Sequence, residues 1–284
     1  MNLEEKTRSI VKHFNFRFSK GLGQNFLIDQ NVLDSIVDSS GLDENCTAIE
    51  IGPGIGTLTQ EIAKRCKKVL SIELDDKLIP VLGETLGNYE NVKIVHADAL
   101  QIDLNELIET EGMKNIKLLA NLPYYVTTPI ITKIFEEKTI IDSITVMIQK
   151  EVGDRIAAKP GTKDYGSLSL LCQYYSVPVK VCDVPPGAFM PEPKVDSVVV
   201  KMELLKEPAV EVSDEKLFFS IVRFAFNMRR KTLWNALKPV GLGDEKLKAA
   251  LEKANIDPIR RGETLSIQEF GTLSNCIKEL QQTN

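Results

Sequence analysis

The chain has 284 residues, 43% hydrophobic and 26% charged, an ordinary composition for a folded soluble protein that can bury a sizeable core without cross-links. Its five cysteines are scattered, none in a C-x-x-C pair, and with only two histidines they argue against a disulfide framework or a zinc site and for a reducing, cytoplasmic setting. No apolar run reaches bilayer length, the charged start MNLEEKTRSIVKHFNF lacks a signal-peptide core, and the net charge of −5 weighs mildly against a nucleic-acid partner.

Local charge departs from that sum. The N-terminal segment carries Lys6, Arg8, Lys12, Arg17 and Lys20 against Glu4 and Glu5. From Cys46 the chain alternates short β-type runs with helical ones. CTAIEIG reads as a buried strand and TLTQEIAKRC as a helix; KVLSIEL is the next strand and DKLIPVLGETL the next helix. VKIVHAD, IKLLANL and SITVMIQK supply three more strands. This βαβα order predicts parallel strands with helical crossovers on both faces. VKVCDV and DSVVVKMEL follow with only the Pro-rich PPGAFMPEPK between them, so an antiparallel hairpin is expected there. After the linker LLKEPAVEVSD the pattern is helical to the end. The expected fold is therefore an α/β Rossmann-like domain over residues 1–206, with a mostly parallel seven-stranded sheet and an antiparallel C-terminal hairpin. A small all-α domain follows over residues 207–284. In that second part Arg223, Arg229, Arg230, Lys231 and Lys238 occur with no acid between Phe219 and Val240, a patch suited to a polyanion. Solvated helix faces are the plainer reading of either patch.

The stretch EIGPGIGTLT lies between the first predicted strand and the first helix. Gly52, Gly54 and Gly56 allow a sharp turn and close approach of a ligand to the backbone. The next strand ends in Glu73, at the distance from Gly52 where an acid reaches ribose hydroxyls in a Rossmann-type site. The alternative is a structural turn. The G-P-G-x-G spacing lacks the fingerprint that packs a helix against a pyrophosphate, and Pro53 removes a donor, so a dinucleotide is disfavoured. Asp98, in VHADAL, ends the third strand with a further acid that can accept from an adenine amino group; His96 reads as a strand residue. The set resembles the class I S-adenosylmethionine-dependent methyltransferases.

Beyond the fourth of these strands comes Asn121-Leu122-Pro123-Tyr124. In such sheets ligands sit past the carboxyl ends of the strands. Pro123 stiffens the turn, so that the Asn121 carboxamide oxygen and the Leu122 carbonyl can accept the two hydrogens of an adenine N6 amine, and Tyr124 can stack on the base. The plainer reading is a strand-ending turn with a capping Asn.

Together, GQNFL, EIGPGIGTLT, NLPYYVTTP, DYGSLSLLCQYYS, FMPEPKVDS and RRKTL resemble the KsgA-type small-subunit ribosomal RNA adenine N6,N6-dimethyltransferases over almost the whole chain. The resemblance implies dimethylation of two adjacent adenosines in the 3′-terminal hairpin loop of 16S rRNA, with S-adenosylmethionine as cofactor and the immature small subunit as partner, by a cytoplasmic monomer without membrane or metal. It implies cofactor contacts at Asn25, Leu27, Gly52, Glu73, Asp98 and Asn121, and a second stacking aromatic at Phe189. RNA contact falls to Arg223, Arg229, Arg230 and Lys231. Two departures, Met228 before RRK and Tyr125 after NLPY, are expected not to touch the chemistry. The rivals are an Erm-type large-subunit methyltransferase, a non-catalytic nucleic-acid-binding factor of the same fold, and a nicotinamide dehydrogenase.

Overall fold

The computed structural model describes residues 2–282, which divide into two compact units. One comprises the chain up to Gly153 together with Pro178–Leu204; the other comprises Asp154–Val177 and the chain from Leu205 onward.

The elements run α1 (Leu3–His13), β1 (Phe26–Leu27), α2 (Gln30–Ser40), β2 (Thr47–Ile51), α3 (Thr57–Ala63), β3 (Lys68–Glu73), α4 (Ile79–Thr85), β4 (Val92–His96), α5 (Leu104–Thr110), β5 (Ile116–Asn121), α6 (Thr127–Glu136) and β6 (Ser143–Gln149). Then come α7 (Lys150–Ile156), α8 (Ser167–Tyr175), β7 (Ser176–Val184), β8 (Phe189–Met190), β9 (Ser197–Leu204), α9 (Glu215–Asn227), α10 (Leu233–Ala236), α11 (Asp244–Lys253) and α12 (Ile267–Gln282).

Seven strands form one sheet in the order β4-β3-β2-β5-β6-β9-β7. β4, β3, β2, β5 and β6 are parallel, and β9 enters antiparallel to β6. Every residue of β2 is buried, as helices on both faces require. The chain leaves β2 towards β3 on one side, and β5 lies on the other. The sheet therefore has its topological switch at the carboxyl ends of β2 and β5, where a crevice opens. A second, two-stranded sheet pairs β1 with β8 antiparallel, Leu27 opposite Phe189. Residue chemistry fixes the local bounds. Asp29 caps α2 by accepting from the amides of Asn31 (2.8 Å) and Val32 (3.2 Å), and Gly41 ends it in the left-handed conformation. In α6, Pro129 is tolerated because it falls in the first turn, where amides have no helical partner.

The second unit has its own core. Phe218, Ile221, Val222 and Ala225 line one face of α9, and Phe270, Leu273 and Ile277 line α12. Gly271 of α12 lies so close to Val210 that an added Cβ would fall 2.3 Å from its Cγ2. The units divide at Leu205, and Asp154–Val177, which lies inside the expected 1–206 range, packs with the second unit. The reason is aromatic packing: Tyr174 is buried with its ring 5.0 Å from that of Phe218, and the Tyr165 hydroxyl donates to the Leu265 carbonyl at 3.0 Å.

Candidate active site

A cavity at the sheet switch point, within the first unit, is built from five segments: the loop and strand Leu22–Leu27, the glycine loop after β2, the ends of β3 and β4, the Asn121–Val126 corner after β5, and Phe189 of β8. It gathers Asn25, Leu27, Gly52, Gly54, Glu73, Asp98, Asn121, Leu122, Tyr124 and Phe189 around one space. Three carboxylates line it, Glu50, Glu73 and Asp98, and none of the described Lys, Arg or His side chains does.

Gly54 takes φ +60°, and a Cβ there would meet the Phe26 ring at 3.1 Å, so only glycine lets the loop pass under β1. The Gly54 amide donates to Glu73 Oε2 at 3.2 Å, and the Asp75 amide donates to Oε1 at 2.8 Å. Glu73 is thus clamped by backbone on both oxygens, yet a carboxylate offers about four lone pairs, so each oxygen retains one. Burial raises the Glu73 carboxyl above its ordinary range, against the lowering effect of those amides. Glu50, deeper and 1% exposed, accepts from the Ser71 hydroxyl at 3.0 Å, and burial first, with the charge of Glu73 adding to it, pushes it up to about 7. Asp98 follows the end of β4 and accepts from the Leu100 amide through Oδ1 at 2.9 Å. His96 is exposed at the end of β4, 3.2 Å from the Leu74 carbonyl.

At the β5 corner the Asn121 side-chain amide donates to the Asn25 carbonyl at 3.1 Å. Its nitrogen is committed, and Oδ1 is left as the acceptor. The Leu122 amide donates to Met147, while no donor among the described residues reaches the Leu122 carbonyl. Thr127 Oγ1 and the Val126 amide both donate to the Pro123 carbonyl, at 3.1 Å each, closing the turn. The Tyr124 hydroxyl lies 2.8 Å from Ser197 Oγ, and burial raises its titration, so it stays a neutral phenol. Phe189 is 3% exposed.

A family model described as ribosomal RNA adenine dimethylase matches residues 15–278. The chain belongs to that family. "Ribosomal RNA small subunit methyltransferase A" of Clostridium botulinum (strain ATCC 19397 / Type A) is 54% identical over 274 residues, 96% of this chain and 99% of the relative. The protein of the same name from Clostridium acetobutylicum is 56% identical with the same coverage. Among solved structures, the 23S rRNA methyltransferase ErmE superposes with a TM-score of 0.69 at 25% identity, covering 89% of this chain and 100% of that one. A dimethyladenosine transferase from Plasmodium falciparum, at a TM-score of 0.72 and 23% identity over 87% of this chain and 95% of that one, shares the fold.

This adenine dimethylase-family chain departs from the sequence reading at three places. Gly56 is not among the cavity-lining residues: it starts α3 at φ +86°, and a Cβ there would meet Thr85 Oγ1 at 3.0 Å and Leu86 at 3.1 Å, so its work is close packing on the end of α4. Tyr125, expected not to touch the chemistry, lines the cavity while remaining 52% exposed. Arg229, read as lacking a neighbouring acid, has Glu263 3.4 Å away and donates to the carbonyls of Lys163 (2.6 Å) and Tyr165 (3.1 Å). By contrast Arg230 and Lys231 are exposed, without a side-chain hydrogen bond or ion pair to the described residues, and Arg223 only approaches Ser220. None of these four lines the cavity. In α1, Arg8 pairs with Glu4 at 2.7 Å, as a solvated-face residue does, whereas Lys6 donates to the buried Gln60 at 2.5 Å; the Lys20 side chain lies outside the described residues. Residues the sequence reading missed are Glu50 and Gln24, both lining the cavity. Glu50 was readable in EIGPG as a charge inside an apolar strand.

Proposed function

We propose that this chain, acting on the immature small ribosomal subunit, dimethylates the N6 amines of two adjacent adenosines in the 3′-terminal hairpin loop of 16S rRNA. S-adenosylmethionine is the methyl donor, and the chain works as a cytoplasmic monomer. The observation that carries this reading is the character of the cavity: three carboxylates and no cation among its described lining residues, opening onto the acceptor pair Asn121 Oδ1 and Leu122 O. A pyrophosphate would be repelled there, whereas a sulfonium is attracted.

When bound, S-adenosylmethionine supplies an activated methyl group on a positively charged sulfur. Glu73, oriented by two backbone amides, keeps one lone pair per oxygen for the two ribose hydroxyls. Asp98 keeps Oδ2 for the cofactor's adenine amino group. The target adenine stacks against Tyr124, whose phenol is steadied by Ser197, with Phe189 as the second aromatic. Asn121 Oδ1 and the Leu122 carbonyl accept the two N6 hydrogens. Those bonds draw the nitrogen towards tetrahedral geometry and strengthen as positive charge develops on it, so they act on turnover. No strong base is required, because the methylated nitrogen is acidic enough to lose its proton to water. The exposed cations Arg230 and Lys231 of the second unit hold phosphates without reading sequence.

The test is labelled methyl transfer to immature small and large subunits from cells lacking the protein, followed by mass spectrometry of the rRNA. Two adjacent N6,N6-dimethyladenosines in the 16S 3′ hairpin are expected. Label in 23S rRNA would assign the Erm-type reaction instead, and no label at all a binding factor.

A further inference from the structure

We propose that Gln24 is a positioning residue, coupling the cofactor carboxylate to the catalytic carboxamide through the strap Ser19–Asn25. The inference rests on the roles given to Glu73 and Asn121 above.

The strap has no strand of its own before β1, yet both ends of the Gln24 amide are used. Its Oε1 accepts from the Ser19 amide at 2.8 Å, and its Nε2 donates to Asp75 Oδ2 at 2.6 Å. Asp75 is 7% exposed and has no ion-pair partner among the described residues; its other oxygen accepts from the Lys77 amide at 3.1 Å. A buried carboxylate balanced only by neutral donors depends heavily on each of them. The amide of Asp75 itself donates to Glu73 Oε1 at 2.8 Å, so the turn that Gln24 secures is the turn that aims Glu73.

The residue after Gln24 reaches the other half of the site. The Asn25 carbonyl receives the Asn121 side-chain amide at 3.1 Å, and Asn25 Nδ2 donates back to the Gly23 carbonyl at 3.1 Å. A carboxamide is nearly symmetric in shape, so only its partners decide which way it faces. The position of the Asn25 carbonyl therefore decides that Asn121 presents oxygen rather than nitrogen to the amine. Gln24 touches neither reacting atom; it acts through Asp75 on one side and through the strap on the other. If the strap shifts, ribose clamp and amine acceptor are misplaced together.

Charge exchange across the contact tests this. Gln24→Glu sets two carboxylates against each other, and Asp75→Asn alone leaves one acceptor oxygen for two donors, Gln24 Nε2 and the Lys77 amide. The double variant Gln24→Glu/Asp75→Asn exchanges donor and acceptor, and the contact reforms. All are measured beside Asn121→Ala, at a temperature where circular dichroism shows every protein folded. Each single variant is expected to lose roughly tenfold or more in kcat and in S-adenosylhomocysteine affinity together, and the double variant to regain most of both. A merely structural latch would move Tm and leave kcat unchanged. Single variants with kcat and affinity within twofold of the parent, or a double variant no better than the worse single, overturn the inference. If Asn121→Ala itself keeps normal turnover, it is the reading of the site that fails, whatever Gln24 does.

Discussion

The polar groups of the cavity and those of the basic stretch in the second unit are handled in opposite ways. In the cavity, Glu73 is held by two amides, Asn121 by the Asn25 carbonyl and Tyr124 by Ser197. In the stretch after α9, Arg229 is tied into its own unit while Arg230 and Lys231 point into solvent without partners among the described residues. Chemistry on a weak nucleophile needs atoms placed before the substrate arrives, because orienting them afterwards would raise the barrier. Holding a polyanion needs only charge at the surface, since each phosphate neutralised gains by counterion release and tolerates loose geometry. The contrast predicts that damage to the cavity acts on individual constants and that damage to the stretch acts on salt dependence.

The largest effect belongs to Asn121→Ala. It deletes an acceptor that works in the transition state and should lower kcat about 10²–10³-fold, while S-adenosylhomocysteine affinity changes far less. Single-turnover methylation and calorimetry on one preparation check both numbers; equal losses in the two would move Asn121 from catalysis to cofactor binding. Glu73→Ala comes next. A charge-assisted contact of this kind is worth roughly 1.5–3 kcal/mol, so cofactor affinity should fall about tenfold or more by calorimetry, with the circular dichroism spectrum unchanged. Unaltered affinity would place the ribose elsewhere.

Much of the cavity was legible because its parts are local motifs. EIGPGIG, Glu73 at the next strand end, Asp98 and NLPY each lie within a few residues of a strand terminus, and the topology brings those termini to one edge. What sequence reading missed depends on pairs distant along the chain. Gln24 meets Asp75 across 51 residues, and Arg229 meets the Lys163 carbonyl across 66. The role of Gly56 turns on Leu86, which nothing in the glycine loop announces. The two-residue strands β1 and β8 have no periodicity to detect, yet their pairing is what brings Phe26 and Phe189 to the cavity. In the second unit the helical stretches from α9 onward were visible from apolar spacing, but α8 joins them through buried tyrosines, a tertiary choice.

A smaller effect separates residues that the sequence presents as equivalent. Arg230→Ala/Lys231→Ala should weaken binding of small-subunit RNA several-fold at low salt, and should flatten the slope of log affinity against log salt by roughly 0.7–0.9 for each phosphate no longer neutralised. Its Tm should match the parent's. Arg229→Ala should do the reverse: it removes two hydrogen bonds to carbonyls of the 163–165 loop and should lower Tm with little change in the salt slope. If all three residues shift the slope alike, the pairing of Arg229 with Glu263 does not persist in solution.

The smallest effect tests whether the cavity floor carries a cost that the second unit avoids. Glu50 is fully buried beside another buried carboxylate, with the Ser71 hydroxyl as a donor and no cation near it in the cavity lining. Burial raises its carboxyl to about 7, above the value of about 4.5 that it has in the unfolded chain. The folded state therefore binds this proton more tightly than the unfolded state does. The stability this contributes is fully present below about pH 4.5 and is lost as pH rises through 7. Glu50→Gln is neutral throughout and lacks that dependence. Between pH 5.5 and 8 the parent should lose more Tm than Glu50→Gln, by a few degrees, since roughly 1 kcal/mol corresponds to about 2–4 °C for a domain of this size. The amide variant has an extra donor to satisfy, so its absolute Tm can fall; the difference between the two pH values is the quantity that decides. Parallel curves would mean that Glu50 stays ionised across the range and that a donor other than Ser71 stabilises its charge. A flatter curve for the variant would mean that Glu50 exchanges its proton near neutrality, so that the cavity floor carries less than its full formal charge when a cationic cofactor enters.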